Sequence, residues 1–331
     1  MEKQEWHPGS LLELSGYYWR SCTLHAGVKL GIFSLIGDDE LSVDAIAEQL
    51  GGDKRGTETL LNALTAMGLL QKEGDWFTNT SAGRSLLCKD SAAYIGYMIL
   101  HHHHLAESWV SLDRAVQSGK PVRKRASHSE GEWRESFLMG MFNNAMSTAP
   151  RVAKAIDLSQ CRRLLDLGGG PGTYAIHFCL NNPRLKATVY DLPTTRPFAE
   201  KIISRFGVTD RVQFVPGDYM EQDIPGEYDA VWVSHILHAH GPETCGKILQ
   251  KATSVLVPEG KILVHDFVLN DTMDSPLFPA LFSLNMLLGT SKGRAYSEGQ
   301  IREMLVAVGG TQIERLPFQG PTDSGILAAR V

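Results

Sequence analysis

Residues 164–178 read LLDLGGGPGTYAIHF, and no other stretch restricts the fold as tightly. A short apolar run ends in an acid, passes through Gly168-Gly169-Gly170-Pro171-Gly172, and opens a helical pattern at Thr173. A strand feeding a helix through so bare a loop lets backbone approach a ligand where any Cβ would collide. A dinucleotide fingerprint asks for a further glycine at position 173, where this chain has Thr173. Asp166, two residues before the first glycine, brings an anion to the site. That suits a cationic ligand and ill suits a pyrophosphate on the helix N-terminus.

The stretches that follow, KATVYDL, VQFVPGD, YDAVWVS and GKILVHDFV, are apolar runs separated by helix-length segments. This rhythm predicts parallel pairing, an α/β doubly wound sheet, and ligands at the carboxyl ends of the strands. Asp191 falls at the tip of the second strand, where an acid can accept hydrogen bonds from both hydroxyls of a ribose. Asp218 ends the third strand, placed to receive an adenine amino group with Tyr219 against the ring. Glycine loop, Asp191 and Asp218 in order at three successive strand ends form a far more specific signal than the loop alone.

Residues 11 to about 90 have a different rhythm. Ser42 caps a helix stopped by Gly51, TETLLNALTAMGLL makes a second helix ending near Gly68, and LLQKEGDWFTNT alternates around Gly74-Asp75 as a hairpin does. Helix, helix, wing is a winged-helix pattern. Its second helix offers only Lys54 and Arg55 at its start, so packing or dimerisation is expected in place of DNA contact. The predicted organisation is 1–91 winged helix, 92–157 helical linker contributing to a pocket, and 158–331 the α/β sheet. A net charge of −5 gives no general attraction to nucleic acid, and Arg123-Lys124-Arg125 reads as a solvated loop. Five scattered cysteines without a Cys-x-x-Cys pair argue for reduced thiols. A polar N-terminus and the lack of any apolar run near the ~20 residues of a membrane helix place the expected chain in the cytoplasm, off the membrane.

Taken in order, LGIFSLI, LLNALTAMGLL, FNNAM, LLDLGGGPG, YDLP, GDYM, ILHAHGPETCGKIL and VPEGKILVHDFVL resemble motifs of one family over nearly the whole chain. It is the S-adenosylmethionine-dependent small-molecule O-methyltransferases of the plant caffeate and acetylserotonin type, with their bacterial antibiotic and pigment relatives. The resemblance implies a Rossmann-like methyltransferase domain, an N-terminal winged-helix dimerisation domain, and homodimers whose partner helps close the pocket. By position, Gly168, Gly170, Asp191 and Leu192 hold the methionine and ribose portions of S-adenosylmethionine, and Asp218 with Tyr219 the adenine. Ser234 stands where many relatives have a lysine near the cofactor. His238 occupies the general-base position and Asp266 that of a carboxylate flanking it. The implied acceptor wall is Met98, His101, His104, Trp109, Phe142, Met146, Phe282, Met286 and Thr290, which suits a flat apolar acceptor.

Two departures stand out. The family's His-Asp-Trp becomes His238-Ala239-His240, and the position of its second flanking carboxylate holds Ala295. On a helix His101 and His104 share a face, so at most two of the four consecutive histidines could meet His238 or His240 around one point. This chemistry needs no metal, and none is expected. The resulting expectation is methyl transfer to a phenolic hydroxyl of a small aromatic or quinone-like acceptor. A thiol or other non-oxygen acceptor and a winged-helix regulator that senses the cofactor stay open as alternatives.

Overall fold

The computed structural model describes residues 5–124 and 131–331. The chain forms two compact units that divide between Ala106 and Glu107, inside a helix.

The first unit runs α1 (Pro8–Gly16), α2 (Tyr18–Lys29), α3 (Ile32–Ile36), β1 (Leu41–Ser42), α4 (Val43–Leu50), α5 (Lys54–Ala66), β2 (Leu70–Glu73), β3 (Trp76–Asn79), α6 (Ser81–Leu87) and α7 (Gly96–Trp109). The caps act as the sequence predicts: the Ser42 side chain accepts the Ala45 N–H, and Gly51 closes α4 in the left-handed region. Gly68 takes the left-handed turn one residue beyond the Met67 cap of α5. Ile46 of α4 and Leu61 and Leu64 of α5 are fully buried with Ile32, Phe33 and Phe77, and β2 and β3 pair as the wing, extended by β1. Leu12, Tyr18 and Trp19 on α1 and α2 are 74%, 62% and 68% exposed, so this unit does not cover that apolar face itself.

The second unit runs α8 (Leu112–Ser118), α9 (Gly131–Met146), α10 (Ala149–Ala155), β4 (Arg163–Leu167), α11 (Thr173–Asn181), β5 (Lys186–Asp191), α12 (Arg196–Arg205), β6 (Val212–Pro216), β7 (Tyr228–Ser234), α13 (Pro242–Ser254), β8 (Leu256–Leu269), α14 (Leu277–Gly289), β9 (Tyr296–Ser297), α15 (Glu298–Ala307), β10 (Thr311–Gln319) and β11 (Ser324–Arg330). Strand order is β10-β11-β8-β7-β4-β5-β6, with β9 beside the end of β8. The five strands read from the sequence are parallel. β11, which the rhythm did not resolve, inserts antiparallel between β8 and β10 because a short turn returns it directly from β10. From β4 the chain steps outward through β5 and β6 and then crosses back to β7. The carboxyl ends of β4 and β7 therefore flank the point where strand order reverses, the position at which such sheets bind ligands.

One sequence expectation fails. Arg123 is not a solvated loop residue: its guanidinium donates to the backbone oxygen (3.2 Å) and Oδ1 (3.0 Å) of Asn285, near the C-terminal end of α14. The carbonyl-rich end of a helix attracts a cation, which a reading of charge runs cannot see. Arg125 lies outside the described residues. Cys88, Cys161, Cys179 and Cys245 are buried and Cys22 is exposed, all as free thiols. Among the described residues no helix is long and apolar enough to cross a membrane.

Candidate active site

The loop after β4 places three glycines at positive φ: Gly168 (+62°), Gly170 (+55°) and Gly172 (+79°). They differ in what limits them. A Cβ on Gly168 would fall 2.2 Å from Ile236 Cδ1, whereas one on Gly170 would meet nothing within 4 Å, so the loop is closed on one side and open over Gly170. Beneath it Asp166 is buried, with Oδ2 accepting the Ala175 N–H at 3.3 Å and Oδ1 without a hydrogen-bond partner among the described residues. Burial pushes its carboxyl up to about 7, and the charge of Asp191 adds to the effect while the Ala175 bond opposes it. The carboxyl expected to bring an anion to the site is thus sealed under the loop and shifted toward its protonated form, because burial there disfavours the charge.

Asp191, at the tip of β5, holds the loop from the other side. Oδ2 accepts the Gly170 N–H (2.9 Å), and Oδ1 accepts the Leu192 N–H and the Thr195 hydroxyl (2.7 Å each). A carboxylate offers about four lone-pair positions, so these bonds leave one, on Oδ2. In this arrangement Asp191 can accept from one further hydroxyl, not from two. Asp218 is turned to its own loop, accepting the Met220 N–H at 2.8 Å. Tyr219 lies beside Gly168 and Ile236, and its hydroxyl is 3.4 Å from His240 Nε2.

The other end of the crevice is built at the tips of β7 and β8. After Ser234 the chain turns sharply, with His235 at φ +56°, a conformation uncommon outside glycine. A short 3-10 turn, Leu237–Ala239, then presents His238. Asp266 grips both its backbone and its ring: Oδ2 accepts the His238 N–H at 3.2 Å, and Oδ1 lies 2.7 Å from His238 Nδ1. An ionised carboxylate can only accept, so the proton sits on Nδ1 and Nε2 is left as the basic nitrogen. Burial pushes the Asp266 carboxyl up, but the charge of His238, the 2.7 Å hydrogen bond from its ring and the nearby His235 outweigh it. The group stays well below the usual carboxylate range.

Aromatic rings pack around this imidazole. Phe282 meets the His238 ring edge-on at 4.8 Å, and Phe267 lies nearly parallel at 5.8 Å. Phe278, partly exposed, extends the wall 5.0 Å from Phe267. Met286 is buried one turn along α14, and Thr290 ends that helix with its hydroxyl on the Met286 carbonyl at 2.7 Å. Phe142 lies against Phe206 at the end of α12, and the Met146 sulfur is 3.4 Å from His177 Nε2 on α11, contacts that seat α9 on those two helices. Trp109 ends α7, half-buried. Met98, His101 and His104 lie on α7 in the first unit, where the adjacent His103 meets Lys29 Nζ at 3.1 Å.

Ser234, the lysine position, bonds His265 Nδ1 at 3.0 Å, and His265 Nε2 reaches Ser324 Oγ at 3.0 Å. Burial holds His265 well below the usual imidazole range. The fully buried Ala295 leaves the second flanking carboxylate without a replacement at its own position. His235, which the sequence alone does not single out, places its Nδ1 3.6 Å from Asp266 Oδ1. Its proximity to His238 in SHILHAH was visible, but the turn that brings it to the carboxylate was not. His235, His238 and Asp266 offer ligand atoms within 4.8 Å of one another, a spacing a metal ion can use. The 2.7 Å His238–Asp266 separation is that of a charge-assisted hydrogen bond. It is shorter than the roughly 3.3 Å between two ligands of a tetrahedral zinc, which favours the hydrogen-bonded pair.

Comparison with known proteins follows the same lines. Residues 12–89 match the O-methyltransferase dimerisation domain, and residues 113–310 the O-methyltransferase domain. The 3-hydroxy-5-methyl-1-naphthoate 3-O-methyltransferase of Streptomyces sahachiroi is 32% identical over 97% of this chain and 94% of its own length. The tetracenomycin polyketide synthesis 8-O-methyl transferase of Streptomyces glaucescens is 31% identical over 95% and 94%. Among solved structures, human N-acetylserotonin methyltransferase in complex with SAM superposes with a TM-score of 0.87 at 26% identity, covering 100% of this chain and 99% of that one.

Proposed function

Because the chain belongs to the O-methyltransferase family, we propose that it transfers the methyl group of S-adenosylmethionine to a phenolic hydroxyl of a small aromatic or quinone-like acceptor, with His238 as general base. The residues present fit this cofactor. The backbone is open over Gly170, Asp191 keeps a lone pair for a hydroxyl, and the buried Asp166 Oδ1 lacks a partner beneath the loop. In this reading Gly168 and Gly170 admit the methionine portion, Asp191 and Leu192 meet the ribose, Asp218 and Tyr219 the adenine, and Ser234 lines the floor. The cofactor supplies a sulfonium methyl open to in-line displacement.

The observation that carries the base assignment is the 2.7 Å bond between His238 Nδ1 and Asp266 Oδ1 against Phe267 and Phe282. Moving a proton from a phenol of pKa about 10 to an imidazole of about 6.5 is uphill by roughly 5 kcal/mol. Asp266 lowers that cost by fixing the tautomer and by stabilising the imidazolium as it forms. Holding acceptor and methyl in line contributes the rest, since positioning can supply about 7 to 11 kcal/mol. The aromatic wall favours a flat acceptor, and the relatives named for naphthoate and polyketide methylation support the same class.

We assign the working form as a homodimer through the first unit, supported by the dimerisation-domain match and the uncovered Leu12, Tyr18 and Trp19. Incubating the protein with S-adenosylmethionine and a panel of hydroxynaphthoates, quinols, thiols and amines, with mass spectrometry of products, tests the reading. Methylated phenols and matching S-adenosylhomocysteine are expected. Methylation confined to thiols or amines would replace the acceptor class, and product without S-adenosylhomocysteine would overturn the reaction.

A further inference from the structure

Arg134 is a buried cation outside the residues so far given a role. It stands on α9, 7% exposed, and its guanidinium reaches across to the turn after β5. There Nη2 donates to the hydroxyls of Thr194 (3.1 Å) and Thr195 (2.9 Å). Thr195 is fully buried and in turn donates its hydroxyl proton to Asp191 Oδ1 at 2.7 Å. A hydroxyl has one proton to give. With an arginine N–H on its oxygen and an acceptor-only carboxylate beside it, the Thr195 hydroxyl has a single orientation. The proton points at Asp191, and the guanidinium charge reaches the carboxylate through it.

This link decides what Asp191 can offer a ligand. Thr195 and the Leu192 N–H fill Oδ1, the Gly170 N–H takes half of Oδ2, and the one open lone pair is thereby fixed in direction. Burial alone would favour protonation of Asp191, and Thr195, the backbone donors and the charge of Arg134 all oppose that. We infer that Arg134, acting through Thr195, is a positioning residue that keeps the open lone pair of Asp191 aimed for the ribose of the cofactor. The inference rests on the assignment of Asp191 to the ribose. It gives α9 an energetic connection to the cofactor site without a contact to the ligand.

The test is calorimetric binding of two ligands to the full-length protein: S-adenosylhomocysteine, and 5′-methylthioadenosine, which keeps ribose and adenine but lacks the amino-acid portion. Arg134→Gln and Thr195→Val are each expected to weaken both ligands by the same factor, roughly 5- to 20-fold for the loss of one charge-assisted link. The double variant should be no more than about twofold weaker than the worse single one, because both break one chain. Thr195→Ser, which keeps the hydroxyl, should restore binding to within about twofold of wild type. Thermal unfolding checks that each variant folds, and the Thr195 pair carries the test by itself if Arg134→Gln does not. A loss confined to S-adenosylhomocysteine would overturn the inference by showing that Arg134 meets the amino-acid carboxylate directly. Additive losses, or a Thr195→Ser protein as weak as Thr195→Val, would also overturn it. Asp191→Ala separates the two levels. If it leaves both affinities unchanged, the ribose assignment fails and the inference with it; if it weakens both while Thr195→Val does not, the inference alone fails.

Discussion

Asp191 and Asp266 are both carboxylates toward the carboxyl ends of strands of one sheet, and they are held by different donors. Asp191 is held by two backbone N–H groups and a hydroxyl, none of which titrates. Asp266 is held by the Phe267 and His238 N–H groups and by an imidazole, with a second imidazole 3.6 Å away. Neutral donors leave Asp191 a fixed receptor with one open lone pair, its carboxyl still raised by burial. Asp266 has ionisable donors and its carboxyl is driven down, which in the proposed reading makes it a partner in proton movement. In the proposed function one end of the crevice holds and the other reacts, and substitutions should separate the two.

The largest effect is expected at the reacting end. His238→Ala should lower turnover of a phenol at pH 7 by about 10² to 10⁴-fold, with activity recovering as pH rises toward the phenol's own pKa. Its affinity for S-adenosylhomocysteine should change by less than about twofold, and near-full activity at pH 7 would dissolve the distinction between the two ends. Asp266→Asn comes next. It removes a charged hydrogen bond worth roughly 1.5 to 3 kcal/mol, so turnover should drop about 10- to 150-fold with cofactor binding intact. If both variants are silent, Ala239 and Ala295 mark a lost catalytic pair.

At the holding end the sign of the split reverses. Asp191→Ala should weaken S-adenosylhomocysteine by roughly 1 to 3 kcal/mol in a calorimetric titration, and NAD should not bind the wild type at all. Measurable NAD binding would contradict the reading of the glycine loop. The smallest effect concerns Asp166. Burial raises its carboxyl to about 7, so the cofactor-free native state keeps a proton that the unfolded chain gives up above about pH 4. The unfolded state then binds fewer protons, and stability must fall as pH rises from about 4 to about 7. Asp166→Asn removes that dependence. Its melting temperature relative to wild type should climb through this window and level off above it, whereas a constant difference would mean that Asp166 is already ionised.

The two ends also differed in how far the sequence revealed them. Gly168, Asp191 and Asp218 are legible because each ends its own strand or follows it within two residues, so local pattern and position coincide. The His238–Asp266 contact spans 28 residues and crosses between strands; resemblance to a family suggested it, and spacing alone could not. His235 escaped because its part depends on a left-handed backbone angle at a non-glycine residue. Arg134 escaped because its partners lie 60 and 61 residues downstream, on a turn with no charge of its own at those positions. Arg123 reads as a solvated residue for the same reason, since what anchors it is the polar surface of a helix end distant in sequence.

Whether His238 takes the acceptor's proton is tested most directly with a series of like-shaped phenols whose own pKa values run from about 7 to about 10. The quantity is the ratio of wild-type to His238→Ala kcat/KM at pH 7, plotted against acceptor pKa. A general base matters most where the proton is hardest to remove. The ratio should therefore be close to one for the most acidic phenol and rise steadily toward 10² or more for the least acidic. A ratio that is large but flat across the series would contradict the assignment and leave His238 as a residue that shapes the pocket.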